Sequence, residues 1–237
     1  MKIARALTVV VAFVNFGCGY ALFETGKTVP PHATSFATGA SIVSNAAQAN
    51  LIGGKAPTIG HEMGPVRTGI TDHLDVGARV FYVLGAETDA KYNFFAQGDR
   101  FALAPRLGGG FAFDGGGGHL FAALVGLITS YDVSDHFTPY VGATWVTHWV
   151  YGRQESVALQ PGERLASRTG VGDGLLELVG GIHVRVNAHF GVMAEASYWA
   201  PMQDDPGDGF VFVPSIIGAM ALRYCFGLAC DRTVTVP

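Results

Sequence analysis

The chain has 237 residues, 14% of them charged and 49% hydrophobic, with a formal net charge of −4. The charged fraction lies well below the ~25% of ordinary soluble domains, yet no run reaches the ~20 apolar residues that a membrane-spanning helix needs. Composition therefore speaks against both a water-exposed globule and a helical membrane protein, and a negative balance without a basic stripe speaks against a nucleic-acid partner. What it favours is a wall of strands, since 33 glycines, 16 phenylalanines and 8 tyrosines suit tight turns and pleated surfaces.

The first residues have the order of a secretory signal: Lys2 and Arg5, then an apolar stretch from Ala6 to Phe16 broken by Thr8 and Asn15, then small residues. Two cleavage readings compete. Gly19-Tyr20-Ala21 places small residues as a conventional signal peptidase requires, so residues 1–21 are removed. Alternatively Gly17-Cys18 is a lipoprotein signal, and Cys18 is lipidated and heads the mature chain; Asn15 stands where such signals usually carry Leu. Residues 22–32 follow as an extended leader, with Pro30 and Pro31 and no periodicity.

Ten strands are expected after the leader, at residues 33–44, 64–71, 73–84, 88–96, 100–113, 119–131, 137–151, 174–187, 190–200 and 209–226. Connections after the second, fourth, sixth and eighth are short, at residues 72, 97–99, 132–136 and 188–189. Those after the first, seventh and ninth are longer, at 45–63, 152–173 and 201–208. The connection at 114–118 is intermediate, and 85–87 is short and breaks the alternation. Even strand number, short turns at one end and long loops at the other are the pattern of outer-membrane barrels. The expected fold is an all-β, closed, antiparallel, up-and-down transmembrane β-barrel of about ten strands (residues 33–226), eight or twelve being the neighbouring options. A periplasmic tail (227–237) follows.

Along most strands the even positions are apolar, as in Leu74-x-Val76-x-Ala78-x-Val80 and Leu176-x-Leu178, while odd positions hold the charge. A period of two marks a strand between two solvents. Scarce Lys and Glu on the polar face, and glycines there (Gly39, Gly69, Gly77, Gly181), fit a cramped interior better than a water-facing wall. Aromatics near strand ends (Tyr140, Trp145, Trp149, Tyr151, Tyr198, Trp199) are read as interfacial girdles. Residues 100–113 run in the opposite phase and turn Arg106 inward. The expected interior then holds the carboxylates Asp75, Asp89, Glu177 and Glu195 and the cations Arg67, Arg79, Lys91, Arg106, Arg185 and Arg223. Charges in so narrow a space must pair or stay hydrated, so a structural network is favoured over an arginine-lined pore.

Other motifs yield little. Gly26-Lys27-Thr28 lacks the earlier glycine of a phosphate loop, position 21 being Ala. Asp204, Asp205 and Asp208 could bind a divalent cation in an outer loop, an ordinary solvated loop being favoured. Ser197, His183 and Glu195 are polar neighbours on adjacent strands, with a structural role favoured over a catalytic one. Cys225 and Cys230 remain as an even pair in an oxidising compartment, and a disulfide between them is expected, with Gly227 allowing the chain to turn.

The stretch GCGYALFETGKTVPP (residues 17–31) resembles the start of a family of bacterial outer-membrane β-barrel proteins, many with lipoprotein-type signals. The unit Arg67-x-Gly69-Ile70-Thr71-Asp72-x-x-Asp75-Val76-Gly77 is similar to the tight periplasmic turn of small barrels of that kind. The resemblance implies an architecture and an outer-membrane location in a Gram-negative-type bacterium, and no reaction or ligand.

The expected role is structural or small-solute passage through a narrow, charge-balanced lumen, without catalysis or cofactor. Its partners are outer-membrane lipids and, during assembly, the insertion machinery. A soluble periplasmic barrel with an apolar ligand is the alternative, and an outer-membrane barrel hydrolase comes third.

Overall fold

The computed structural model of the protein describes residues 21–44, 58–81, 85–96, 98–113, 119–154, 167–171, 174–201 and 215–227. Eleven strands are present among them: β1 (Thr34–Ser44), β2 (Thr58–Gly69), β3 (Leu74–Phe81), β4 (Gly85–Tyr92), β5 (Phe101–Phe113), β6 (His119–Tyr131), β7 (Phe137–Gln154), β8 (Ser167–Val171), β9 (Leu175–Arg185), β10 (Phe190–Pro201) and β11 (Ser215–Phe226). Each pairs antiparallel with its neighbour. β1 pairs with β11, and β6 with β7, so the sheet closes.

The ring itself has ten strands. β8 pairs only with the far end of β7, from Trp149↔Val171 to Gln154↔Ser167, and β9 takes the same edge lower down, from Phe137↔Val184 to Val146↔Leu175. β8 is thus an outward extension of the strand that β9 continues, and it occupies part of what the sequence reads as a loop at 152–173. Other boundaries move modestly. β2 begins at Thr58 rather than 64, β4 spans Gly85–Tyr92 rather than 88–96, and β11 begins at Ser215 rather than 209.

The period of two becomes the two faces of the wall. Val76, Val80, Leu178, Ile182, Val184, Met220, Leu222 and Tyr224 point outward and are exposed. β5 runs in the opposite phase as expected, with Phe101, Leu107 and Phe111 outward and Arg106 buried. Leu107 keeps 68% of its surface exposed. A contiguous belt of such side chains around a closed ring is far larger than a water-facing surface tolerates. With charge inside and hydrocarbon outside, the barrel spans a membrane, and its short turns at one end mark the periplasmic side of an outer membrane. The same facing rules out the alternative of a soluble barrel with an apolar interior.

Among the described residues, aromatic rings pair with one another at the short-turn end. Tyr92 packs edge-on to Phe94 with centroids 5.6 Å apart, Phe95 to Phe101 at 5.0 Å, and Tyr224 to Phe226 at 4.7 Å. Trp145 and Tyr198 are outward, as a girdle requires. Tyr140 is a correction: it is 2% exposed and points into the lumen. Trp199 likewise shares the inward face of β10 with Ser197, whose hydroxyl accepts its indole N–H at 3.2 Å.

Candidate functional site

The leader, assigned no place by its sequence, lies inside the barrel. Leu22, Phe23, Glu24, Thr25, Thr28 and Val29 are all at most 3% exposed, and so is Ala21 before them. They rise from the periplasmic end, where Ala33 precedes β1, toward the level of Arg79 and Glu195. Two non-glycine residues bend the segment with left-handed backbones, Phe23 (φ 45°) and His32 (φ 64°). Such conformations persist where the surroundings over-determine them, and here the surroundings are polar and specific.

On the β2–β5 side the wall presents four cations, Arg67, Arg79, Lys91 and Arg106, to three wall carboxylates, Asp75, Asp89 and Glu87. Glu24 of the leader is the fourth carboxylate. Its Oε1 accepts from Arg67 Nη1 at 2.7 Å, and its Oε2 stands 3.7 Å from Lys91 Nζ. Arg67 also donates from Nε (2.9 Å) and Nη2 (2.6 Å) to Asp75 Oδ1, and from Nη1 to Asp89 Oδ1 at 2.6 Å. Arg106 bonds Asp89 and Glu87. Arg79 bonds Glu87 at 3.0 Å and the Ala21 carbonyl at 3.1 Å. Lys91 donates to the Thr25 carbonyl at 2.9 Å. The guanidinium of Arg67 and both its principal acceptors are nearly dry, so its charge is satisfied by partners rather than by water.

A second cluster lies on the periplasmic floor. Lys27 pairs with Asp132, which also pairs with Arg185 at 2.9 Å and accepts from the Thr138 hydroxyl at 2.6 Å. Gly26 N–H donates to Ser130 Oγ at 3.1 Å, Thr28 Oγ1 to the Asp72 carbonyl at 2.9 Å, and Val29 N–H to Asp75 Oδ2 at 2.8 Å. The Gly-Lys-Thr triplet is therefore a floor brace. The third contact is with β7 and β10: Leu22 and Phe23 N–H donate to the Glu195 carboxylate at 2.6 and 2.8 Å, and Tyr140 O–H donates to it at 2.9 Å.

Lumen glycines make the room. A side-chain carbon at Gly69 would strike the carbonyls of Val29 and Pro30, at Gly77 the Arg67 guanidinium, and at Gly181 the Tyr140 ring. All three were read in the sequence as signs of a cramped interior.

All ten charges expected inside do face inward; nine are under 9% exposed and Arg79 has a side chain 11% exposed. Glu177 is buried and neither of its carboxylate oxygens has a hydrogen-bond partner among the described residues. Sequence reading missed Glu24, Lys27, Glu87, Asp132 and Tyr140. One signal was available. Six expected cations faced four expected carboxylates, and Glu24 and Glu87 supply the two that were lacking. Ser197, His183 and Glu195 all turn inward, but Glu195 is occupied by Leu22, Phe23 and Tyr140, and the Ser197 hydroxyl by Trp199. Cys225 is buried at the end of β11, and Gly227 turns with φ 82°. Cys18, Cys230, Asp204, Asp205 and Asp208 lie outside the described residues. Among the described residues no cluster of His, Cys, Asp and Glu is arranged to hold a metal ion.

No family model matches the chain, and no curated protein does. Solved structures do. Neisserial surface protein A is 10% identical, with 81% of this chain covering 95% of that one at a TM-score of 0.38. The NanC porin is 10% identical (80% against 98%, TM-score 0.41). Ail, the attachment invasion locus protein of Yersinia pestis, is 12% identical (83% against 99%, TM-score 0.36). Likenesses this loose carry no argument about role, and the membrane assignment rests on the facing of the wall.

Proposed function

We propose that this protein is a structural outer-membrane barrel closed by its own N-terminal leader, rather than a channel for solutes. The observation that carries this reading is Glu24. It stands between Arg67 and Lys91 with 2% of its side chain exposed, and it balances the β2–β5 side of the wall, where four cations otherwise face three carboxylates. A ten-stranded ring has little room beyond its own side chains, and the leader takes what is left of the periplasmic half. The role requires no reaction, and its partner is the lipid around the wall.

Conductance in a planar lipid bilayer tests it. The purified protein is expected to be silent under applied voltage. A chain lacking residues 22–31 that still folds, as judged by its heat-dependent gel mobility, is expected to show small discrete openings. Stable openings in the intact protein would overturn the reading in favour of small-solute passage.

A further inference from the structure

Glu195 poses a problem that the plug alone does not solve. It is a carboxylate 6% exposed in the lumen, and all its hydrogen bonds come from neutral donors: two backbone N–H groups and the Tyr140 hydroxyl. Among the described residues it belongs to no ion pair, whereas Glu24, Asp75, Glu87, Asp89 and Asp132 all do. A buried carboxylate with no cation in direct contact is costly even when fully hydrogen-bonded.

The donor nearest to it is the nitrogen of Leu22, 2.6 Å from Oε1. That distance is at the short end even for charge-assisted bonds. Leu22 is also the residue that follows Gly19-Tyr20-Ala21, the small-residue pattern of a conventional signal peptidase site. We propose that the mature chain begins at Leu22 and that its α-ammonium is the missing cation, held by Glu195 inside the lumen.

The step is a hydrolysis. A membrane-bound signal peptidase breaks the Ala21–Leu22 amide with one water. The hydroxyl goes to the Ala21 carbonyl carbon, which leaves as a carboxylate on the signal peptide, and Leu22 nitrogen becomes an ammonium. Cleavage also removes the Ala21 carbonyl that Arg79 contacts, and Arg79 keeps Glu87. The two nitrogens of Leu22 and Phe23 then grip one carboxylate, a capture of a chain start by an anion. Bending of the chain at Phe23 (φ 45°) accompanies this grip.

Lipidation at Cys18 fits the same geometry poorly. Three residues span at most about 10 Å, and Ala21 is buried beside Arg79. A lipid anchor on Cys18 would therefore have to lie within that reach of a residue held inside the lumen.

The inference rests on the leader occupying the lumen and is separable from the conductance result: a silent barrel with an acylated Cys18 defeats it alone. The test is the intact mass and first residue of the protein extracted from outer membranes, followed by reaction of the folded protein with acetic anhydride. Expected are a chain starting at Leu22 without acyl mass, and an α-amine acetylated at least about tenfold more slowly when folded than when unfolded, since reaction must await local opening. Cys18→Ser should leave the mature mass unchanged, and Glu195→Gln should speed acetylation in the folded state. A first residue of Cys18 bearing acyl chains, cleavage at another bond, or equal acetylation of folded and unfolded wild-type chains would overturn the proposal.

Discussion

The two faces of β9 and β10 are a residue apart in sequence and obey different rules. Outward, Leu178, Ile182, Val184 and Tyr198 meet hydrocarbon, which asks only that a side chain be apolar. Inward, Glu195 meets Leu22, Phe23 and Tyr140 at defined distances, and Gly181 is small because Tyr140 lies over it. The outer face is specified by kind, and the inner face by partner. Substitutions should therefore be judged by volume and charge outside, and by what they leave unpaired inside.

The strongest break of that contrast is at the centre of the charge network. Arg67→Ala leaves Glu24, Asp75 and Asp89 short of their shared cation, and should cost about 3–5 kcal/mol in urea unfolding from lipid vesicles, as removal of one partner from a buried pair does. A change below about 1 kcal/mol would mean that the network is hydrated like a surface. Next comes a charge on the wrong face. Leu178→Arg should cost about 2–4 kcal/mol, while Gln160→Arg, between β7 and β8 in the sequence, should fold with unchanged yield. Equal yields of the two would reverse the facing of β9.

At the periplasmic end the contrast weakens, and so do the effects. Cys225 ends an inward row and Gly227 makes the turn that a bond to Cys230 needs. The expected disulfide closes a short loop, so reducing it should cost about 2 kcal/mol. Labelling of both thiols in non-reduced protein would remove this claim. Phe226 closes an alternating row of Leu222, Tyr224 and Phe226, which are all outward, and is expected to be read by the insertion machinery. Phe226→Ala should lower the amount in the outer membrane without altering the stability of what arrives by more than about 1 kcal/mol, and unchanged levels on blots of membrane fractions would count against that role. The smallest effect is the control: Val184→Leu exchanges one apolar group for another against lipid, and should stay within about 0.5 kcal/mol.

Much of the wall is legible in the sequence, because a strand between two solvents writes its facing with a period of two, and turns write themselves in Gly, Asp and Asn. Arg67, Asp75, Glu177 and Arg185 were placed inside on that rule alone, and Arg106 through the phase change of β5. Tyr140 was misplaced because an aromatic near a strand end fits a girdle and a lumen equally well, and only its partner Glu195, 55 residues later in the chain, decides. β8 was absorbed into a loop because five residues carry too little alternation to be seen.

The leader marks the boundary between what sequence and tertiary structure each determine. Local order of residues 22–32 says extended and aperiodic, which is uninformative, since a tether outside the barrel and a plug within it share that description. Sequence alone determined the wall, its two faces and the charges that line it, because those follow from repeated short-range pattern. Tertiary closure decided what fills the ring. Only when β1 meets β11 and β6 meets β7 do Arg67, Lys91, Ser130, Asp132 and Glu195 surround one volume, and the Coulomb cost of leaving them unmatched then selects the segment carrying Glu24 and Lys27 as its occupant.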